Sequence, residues 1–293
     1  MRRAEIQARQ PAGNRPGPAE RPATRRSQAR RVAAAVLAMV AVVLGGPDAV
    51  AATALPGLPQ TGQDVSWPQC PAGRGGYGLP MPAPTAAFVV VGLTAGRGFT
   101  ANPCLASQVA WARQHAVPAS AYLVATYPTR AEMRRWGAQG PRPATTVNDG
   151  VFNVGWAQAR AALDVLSRSG LGARSVWIDV EAVRTRPWSS DTERNAALVR
   201  GVAAAVRAAG HLPGLYTNSS SWTGLTDGAR LGLPEWRTVG PGSRSAARAA
   251  CGAWPLNGGQ VLLVQYWTST VDHDVLCSPL DSRTARARWF RTP

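Results

Sequence analysis

Short apolar runs alternate with longer amphipathic stretches along most of the chain beyond residue 62. Strands that are covered on both faces are continuously apolar, whereas amphipathic stretches of ten or more residues indicate helices packed against them. This alternation is typical of a parallel sheet whose strands are joined by crossover helices. The predicted strands are one near Asp64 and residues 88–92, 121–124, 176–181, 215–217, 235–239 and 261–267.

Three stretches between these runs predict helices. Residues 104–115 and about 152–169 are amphipathic, and Gly170 is placed to end the second helix. Ser190 followed by Glu193 predicts a capping box, which starts a helix that continues to residue 209 and stops at Gly210. The Pro-rich residues 127–148 predict an excursion over the surface.

Strands and helices that alternate over residues 63–285 predict a single closed β/α barrel of modified TIM type. Residues 52–62 are then a linker, and residues 286–293 a C-terminal tail. A doubly wound open sheet is the alternative architecture. That fold often carries a Gly-rich phosphate loop, and the G-x-x-x-x-G-K form of this loop does not occur in this sequence, which has no lysine.

The first 51 residues have the pattern of a secretory signal peptide. An Arg-rich stretch ends at Arg31, residues 32–45 are uncharged, and small residues precede a predicted cleavage after Ala51. Those 14 uncharged residues are too few to cross a hydrocarbon core of about 30 Å as a helix. We therefore expect a protein that is secreted or wall-associated, without a stable membrane span after cleavage, and the sequence leaves the Sec and twin-arginine routes open.

The net charge of +16 comes from 32 basic residues, all arginine, against 16 acids. Nine of the arginines and three of the acids lie in the first 51 residues, so the remaining chain carries +10. The arginines are scattered and no nucleic-acid motif is present, so attraction to anionic wall polymers explains the charge better than nucleic-acid binding does. The expected partner is cell-wall polysaccharide, with no nucleic acid, and we expect a monomer.

Four cysteines in an exported chain predict two disulfides. Three pairings are available. We predict Cys70 with Cys104 and Cys251 with Cys277, because each pair is close in sequence and flanks one predicted strand. The three histidines lack the spacing of a ligand pair, so neither a metal nor another cofactor is expected.

The strand at 176–181 carries the clearest candidate chemistry. Side chains alternate between the two faces of a strand, so one face is aliphatic and the other carries two acids, about 6.5–7 Å apart. The two sets are Val176, Ile178 and Val180, and Trp177, Asp179 and Glu181. If the aliphatic face meets the helices, both acids point into the barrel at the C-terminal end of the strand, where barrel enzymes place their active sites. One acid can then retain a proton near neutral pH while its neighbour is ionised.

A D-x-E pair at a strand end is also common in ordinary salt bridges, so further acids matter. Asp64 lies at the first predicted strand, and Asp272 or Asp274 lies just beyond the last. The first, middle and last strands of a barrel meet at the same mouth. Four acids there would be costly unless they served a function.

Several short motifs occur in the order seen in glycoside hydrolase family 25, the secreted lysozyme-type muramidases with a modified β/α barrel. They are Gly62 to Ser66 with Gln69, the run from Phe88 through Trp111, Pro118 to Tyr122, Asp179 to Glu181, Pro213 to Thr217 with Trp222, and Gln265-Tyr266 followed by Asp274. The chain resembles that family over nearly all of its length beyond the leader. It departs from the family pattern at Leu123, where a histidine is usual, and in its cysteines and the excursion at 127–148, which suggests a divergent actinobacterial-type branch.

The resemblance implies roles for individual residues. Glu181 would be the general acid, Asp179 would stabilise positive charge at the sugar or its N-acetyl group, and Asp64 and Asp274 would complete the acidic floor. Side chains expected to bind substrate are Tyr122, Tyr216 and Gln265, together with Trp67 and Trp267 as surfaces that stack on sugar rings. The sequence therefore favours a secreted glycoside hydrolase that acts on N-acetylated wall glycan. The alternative is a wall-binding barrel that has lost turnover.

Overall fold

Eight strands close into a barrel in chain order, within residues 60–269 and 271–293, which the computed structural model describes. Neighbouring strands are parallel from β1 to β7, and β8 runs antiparallel to both β7 and β1. The strands are β1 (Thr61–Val65), β2 (Val89–Gly92), β3 (Ala119–Val124), β4 (Ser175–Asp179), β5 (Leu212–Thr217), β6 (Glu235–Pro241), β7 (Val261–Trp267) and β8 (Asp272–Leu276). The predicted closed barrel is confirmed, and the open sheet is not.

Helices fill most of the connections between successive strands. They are α1 (Leu105–Gln114), α2 (Arg130–Trp136), α3 (Val147–Ser169), α4 (Thr192–Ala208), α5 (Ser219–Thr226), α6 (Arg244–Ala250) and α7 (Arg283–Trp289), with short 3₁₀ helices at Trp67–Gln69, Ala72–Arg74 and Ser278–Leu280. The excursion at 127–148 therefore contains a helix, α2, that was not predicted. The shorter helices α5, α6 and α7 were also missed.

Strand β8 was not predicted either, and its direction follows from its connection. Few residues separate the end of β7 at Trp267 from the start of β8 at Asp272. A parallel connection needs a dozen residues or more, so the chain can only turn back beside β7. The last strand of the barrel is thus the second arm of a hairpin.

The two faces of the strands pack into two different apolar layers, as the alternation of side chains along β4 predicts. Val176, Ile178 and Val180 pack with helix residues such as Val199 in the layer between strands and helices. Trp177 points the other way and packs inside the barrel, where its neighbours include Phe88, Val90 and Trp236. The acids that share the Trp177 face are therefore directed to the barrel interior.

The C-terminal segment closes one end of the barrel. Arg291 and Ala119 exchange backbone hydrogen bonds of 2.8 and 2.9 Å, and the Ser175 hydroxyl donates to the Trp289 carbonyl at 2.7 Å. The rings of Trp289 and Trp177 are stacked with centroids 4.8 Å apart. Because Ala119 and Ser175 begin β3 and β4, this packing covers the N-terminal end of the strands and leaves the C-terminal end for a site.

The predicted domain boundaries differ from the structure at both ends of the barrel. Strand β1 begins at Thr61, inside the range predicted as linker, and α7 crosses the predicted start of the tail. Trp289 and Phe290 are buried and pack inside the barrel, so the range predicted as a tail contributes side chains to the core. The predicted signal peptide and most of the predicted linker lie outside the described residues. Among the helices that are described, none is long and apolar enough to cross a membrane.

Covalent links and helix ends agree with most of the sequence interpretation. The disulfides Cys70–Cys104 and Cys251–Cys277 are both formed, as predicted. Helix α4 starts one residue later than predicted, because the side chain of Asp191, not Ser190, accepts a hydrogen bond from the Arg194 backbone. Helix α3 begins at Val147, five residues earlier than expected, after a capping box formed by Thr146 and Asp149.

Helices α3 and α4 approach each other closely through two glycines. A β-carbon at Gly155 would lie 2.2 Å from the Leu198 carbonyl oxygen, and one at Gly201 would lie 2.0 Å from the Phe152 carbonyl oxygen. Any larger residue at either position must push the two helix backbones apart.

We expect Gly201→Ala to lower the free energy of unfolding by about 1–3 kcal/mol through overpacking. Urea and thermal unfolding of the purified protein measure the change. Gly224→Ala in α5 is the matched control, since no atom lies within 4 Å of a β-carbon there. It should be neutral or stabilise by up to about 1 kcal/mol. Equal destabilisation by the two substitutions would contradict the close helix contact.

Candidate active site

Asp179 and Glu181 stand at the C-terminal end of β4, at the open end of the barrel. Asp179 is the last residue of the strand and is 9% exposed. Glu181 follows two residues later in the loop, partly exposed, so the predicted strand at 176–181 ends earlier than expected. The Trp188 indole donates to the Glu181 carbonyl at 3.0 Å, which fastens the loop behind the second acid.

A hydrogen-bonded chain connects three of the other predicted site residues across the barrel. The Tyr216 hydroxyl donates to Oε1 of Gln265 at 2.8 Å, and Nε2 of Gln265 donates to Oδ1 of Asp64 at 2.7 Å. These side chains come from β5, β7 and β1, respectively. The amide of Gln265 is thus oriented by a donor on one side and a carboxylate on the other.

Asp274 completes this floor from β8. It pairs in register with Gly62 of β1 and Gln265 of β7, and its side chain is fully buried. The Trp236 indole donates to Oδ1 of Asp274 at 2.8 Å. Burial raises the pKa of the Asp274 carboxyl well above its usual range, the charge of Asp64 raises it further, and the Trp236 hydrogen bond opposes both effects.

The pKa values of the two β4 acids are both raised. Burial raises the pKa of Asp179 well above its usual range, and the neighbouring charge of Glu181 adds to this effect. Burial raises the pKa of Glu181 to about 7, although the positive charge of Arg186 lowers it. The protein therefore disfavours the state in which Asp179 and Glu181 are both ionised. Glu181 can hold a proton near neutral pH. The charge of Asp64 raises the pKa values of both Asp179 and Asp274, and the charge of Glu181 raises the pKa of Asp179, so Asp64 lies near both ends of this group of acids.

Aromatic side chains enclose the acids. The ring of Trp236 lies 4.5 Å from that of Tyr216 and 6.0 Å from that of Tyr122. Burial raises the pKa of Tyr122 well above its usual range, and the charge of Asp64 raises it further. Both predicted tyrosines thus lie beside the acids as neutral hydroxyl groups.

The two tryptophans proposed for sugar stacking lie at the same end of the barrel. Trp67 follows β1, is partly exposed and packs edge-on against Tyr77 with ring centroids 5.0 Å apart. Trp267 is the last residue of β7 and is also partly exposed. Their contact with a sugar stays a prediction.

Sequence reasoning missed two kinds of residue in this site. Asp272 and Asp274 were alternatives for one position, yet both belong to the site: Asp272 is 9% exposed, and its charge raises the pKa of Glu181. Between them, the outward ring of His273 stacks on Tyr266 at 4.9 Å. Arg186 was not considered at all, because its position depends on a loop. No group of three potential ligands in the described ranges is arranged to hold a metal ion.

Comparison with known proteins relates the sequence and the fold to lysozymes and muramidases. A family model described as "Lys-1: Lysozyme-like protein 1" matches residues 148–243. Lysozyme-like protein 5 of Caenorhabditis elegans is 24% identical over 116 residues, which cover 39% of this chain and 51% of that protein. The chain therefore spans about half the length of the curated relative that it matches.

Solved structures share the fold at low sequence identity. A muramidase from Acremonium alcalophilum gives a TM-score of 0.53 at 18% identity, covering 78% of this chain and 98% of that chain. The family GH25 lysozyme from Aspergillus fumigatus gives 0.50 at 16% identity, covering 78% and 99%. The modular autolysin LytC of Streptococcus pneumoniae, in complex with a synthetic peptidoglycan ligand, gives 0.50 at 13% identity, covering 74% and 46%. The chain therefore shares the fold of these muramidases and lysozymes, and residues 148–243 match a lysozyme-like family model.

The hydrogen bond between Trp236 and Asp274 gives a test of the buried floor. We expect Trp236→Phe to lower the free energy of unfolding by about 1–3 kcal/mol, because it leaves a buried carboxyl oxygen without its donor. Trp254→Phe is the matched control, since Trp254 is 92% exposed. Urea unfolding measures both variants. A Trp236→Phe protein as stable as Trp254→Phe would contradict the role of this hydrogen bond.

Proposed function

We propose that this protein is a secreted hydrolase that cleaves glycosidic bonds in N-acetylated cell-wall glycan, with Glu181 as the general acid. One observation carries the proposal: Asp179 and Glu181 stand together at the open end of a closed barrel, and the pKa of Glu181 is raised to about 7. Glycoside hydrolysis requires a carboxylic acid beside a second carboxylate, because the leaving oxygen takes a proton while positive charge develops on the sugar.

The two acids would have different roles because they lie at different depths in the site. Glu181 lies nearer to solvent at the start of a loop, where it can reach the glycosidic oxygen and donate its proton. Asp179 is deeper, and a positive charge developing beside it would favour its ionised form and so stabilise the transition state. Asp64 and Asp274, tied to Gln265 and Trp236, would form the floor that orients the sugar.

The substrate class rests on the relatives and on charge. The relatives are named as lysozymes and muramidases, and the autolysin LytC was solved in complex with a synthetic peptidoglycan ligand. The +10 charge outside the leader would draw the protein to anionic wall polymers. Two disulfides suit an oxidising compartment, which supports export.

We expect Glu181→Gln to reduce the release of reducing ends from peptidoglycan roughly 10²–10⁴-fold, because the isosteric amide cannot donate a proton in the same way. Glu193→Gln is the matched control: Glu193 is an exposed helix residue that pairs with Arg200. Circular dichroism checks that both variants fold. Glycan binding that survives Glu181→Gln, with no reducing ends released by the wild-type protein, would indicate the non-catalytic binding barrel instead.

The pKa of Glu181 also predicts the pH dependence of kcat/KM. The acid acts in its protonated form, so activity should decline above about pH 7, approaching a tenfold loss per pH unit. Arg186 lowers the pKa of Glu181, so Arg186→Gln should move this decline to higher pH, whereas Arg186→Lys should keep it near the wild-type position. A decline that does not move in Arg186→Gln would refute the assignment of this limb to Glu181.

A further inference from the structure

Four side chains form a second surface at the open end of the barrel, beside the acids. They are Arg97, Phe99, Trp136 and Arg186, and we call them the cationic–aromatic rim. Backbone contacts place the rim: Ala125 donates to the Asp179 carbonyl at 2.9 Å, and Gly98 donates to the hydroxyl of Thr126 at 3.2 Å. Ala125 and Thr126 are neighbours in the chain, so these two hydrogen bonds connect the loop that carries Arg97 and Phe99 to the end of β4 at Asp179.

The backbone of this loop is strained at Phe99. Phe99 has a positive φ of 63°, which is unfavourable for a bulky residue and persists only where the surroundings enforce it. The buried amide of Gln158 supplies part of that support, because it accepts from the Thr126 backbone N–H at 3.1 Å and donates to the Thr126 carbonyl at 2.7 Å. Strained backbone of this kind clusters at binding sites.

The other half of the aromatic surface comes from the excursion at 127–148. Trp136 ends α2, and its ring stacks on Phe99 with centroids 5.8 Å apart and planes 13° apart. The fully buried Asn153 fixes the excursion by donating to the carbonyls of Gly137 and Arg142 at 2.8 and 2.9 Å. The match to the lysozyme-like family model begins at residue 148, after this excursion. Three of the four rim side chains, Arg97, Phe99 and Trp136, therefore lie outside the matched region, and Arg186 lies within it.

The two arginines place positive charge next to this surface. Arg97 is exposed, whereas Arg186 is partly buried in a loop that folds back so that its N–H donates to the Val183 carbonyl at 2.9 Å. Burial and the charge of Arg97 both lower the pKa of Arg186. Within the described part of the chain, neither guanidinium forms an ion pair within 4.0 Å. The charges of Asp179 and Glu181 act on the pKa of Arg186 in the opposite direction, although neither acid lies within ion-pair distance of it. Two neighbouring guanidinium groups that form no ion pair can bind a planar anion such as a carboxylate.

A bound anion would also resolve a conflict in the site. The charge of Arg186 works against the proton on Glu181, which the proposed reaction needs. An anion held between Arg186 and Arg97 would neutralise that charge and favour the protonated acid. The arginine then serves recognition when substrate is bound without opposing catalysis.

We propose that the cationic–aromatic rim binds an acidic sugar unit of the glycan, with Arg97 and Arg186 holding a carboxylate on the sugar and the Phe99–Trp136 pair contacting its ring. The ligand class, an N-acetylated sugar that carries a lactyl carboxylate, rests on the proposed function. Binding itself does not require turnover, so the two proposals fail separately.

Isothermal titration with two disaccharides tests the rim. One is N-acetylglucosaminyl-N-acetylmuramic acid with a free carboxylate, and the other is N,N′-diacetylchitobiose, which lacks the lactyl group. We expect the wild-type protein to prefer the acidic disaccharide about tenfold, which corresponds to about 1.4 kcal/mol. Arg97→Gln should remove most of this preference, and Trp136→Ala should weaken the binding of both ligands. Arg207→Gln, which removes an exposed charge from the end of α4 that leads to the opposite side of the barrel, should leave the preference unchanged.

The outcomes separate the alternatives. Equal binding of the two disaccharides by the wild-type protein, or an unchanged preference in Arg97→Gln, would overturn the rim proposal. A third probe has its lactyl group amide-linked to a dipeptide, and tighter binding of this probe than of the free acid would overturn the assignment to a sugar-borne carboxylate. A preference for the free acid without release of reducing ends would support the rim and refute the proposed hydrolase activity.

Discussion

The antiparallel strand β8 is the element on which the site depends, because it pairs with both β7 and β1 and so closes the barrel. Its register sets Asp274 beside Gly62 and Gln265, where the Trp236 indole can reach its carboxyl. A parallel eighth strand would need a long crossover and would present other residues to the mouth. The short hairpin therefore fixes the closure of the fold and the position of two buried acids together.

The same strand shows where sequence reasoning stops. Strands β2, β3 and β7 were predicted because they are apolar on both faces, and burial on both faces is what a parallel barrel strand requires. Strand β8 reads Asp-His-Asp-Val-Leu, and its polar positions resemble a loop. Two of those positions face the site, so the residues needed for chemistry remove the apolar signal by which a strand is recognised.

Short helices were missed for a different reason. Helix α2 begins with a capping box of Thr129 and Glu132, a signal visible in the sequence, but the surrounding prolines pointed to an irregular excursion. The convergence of Asp64, Asp179 and Glu181 could be predicted, because a barrel brings the C-terminal ends of its strands to one mouth. Arg186 could not be predicted, because its place depends on how the loop after β4 folds back on itself.

Burial and charge oppose each other at Glu181, and their balance gives the site its chemical character. Enclosure by protein alone would hold the proton on this acid to a higher pH, and Arg186 lowers that pH toward neutrality. Burial raises the pKa of Glu181 whichever substrate is bound, whereas the effect of Arg186 on that pKa depends on what occupies the space between Arg186 and Arg97. An anionic ligand there would change the proton affinity of Glu181 without touching it. Recognition at the rim and protonation at the cleft would then be coupled through a single guanidinium group.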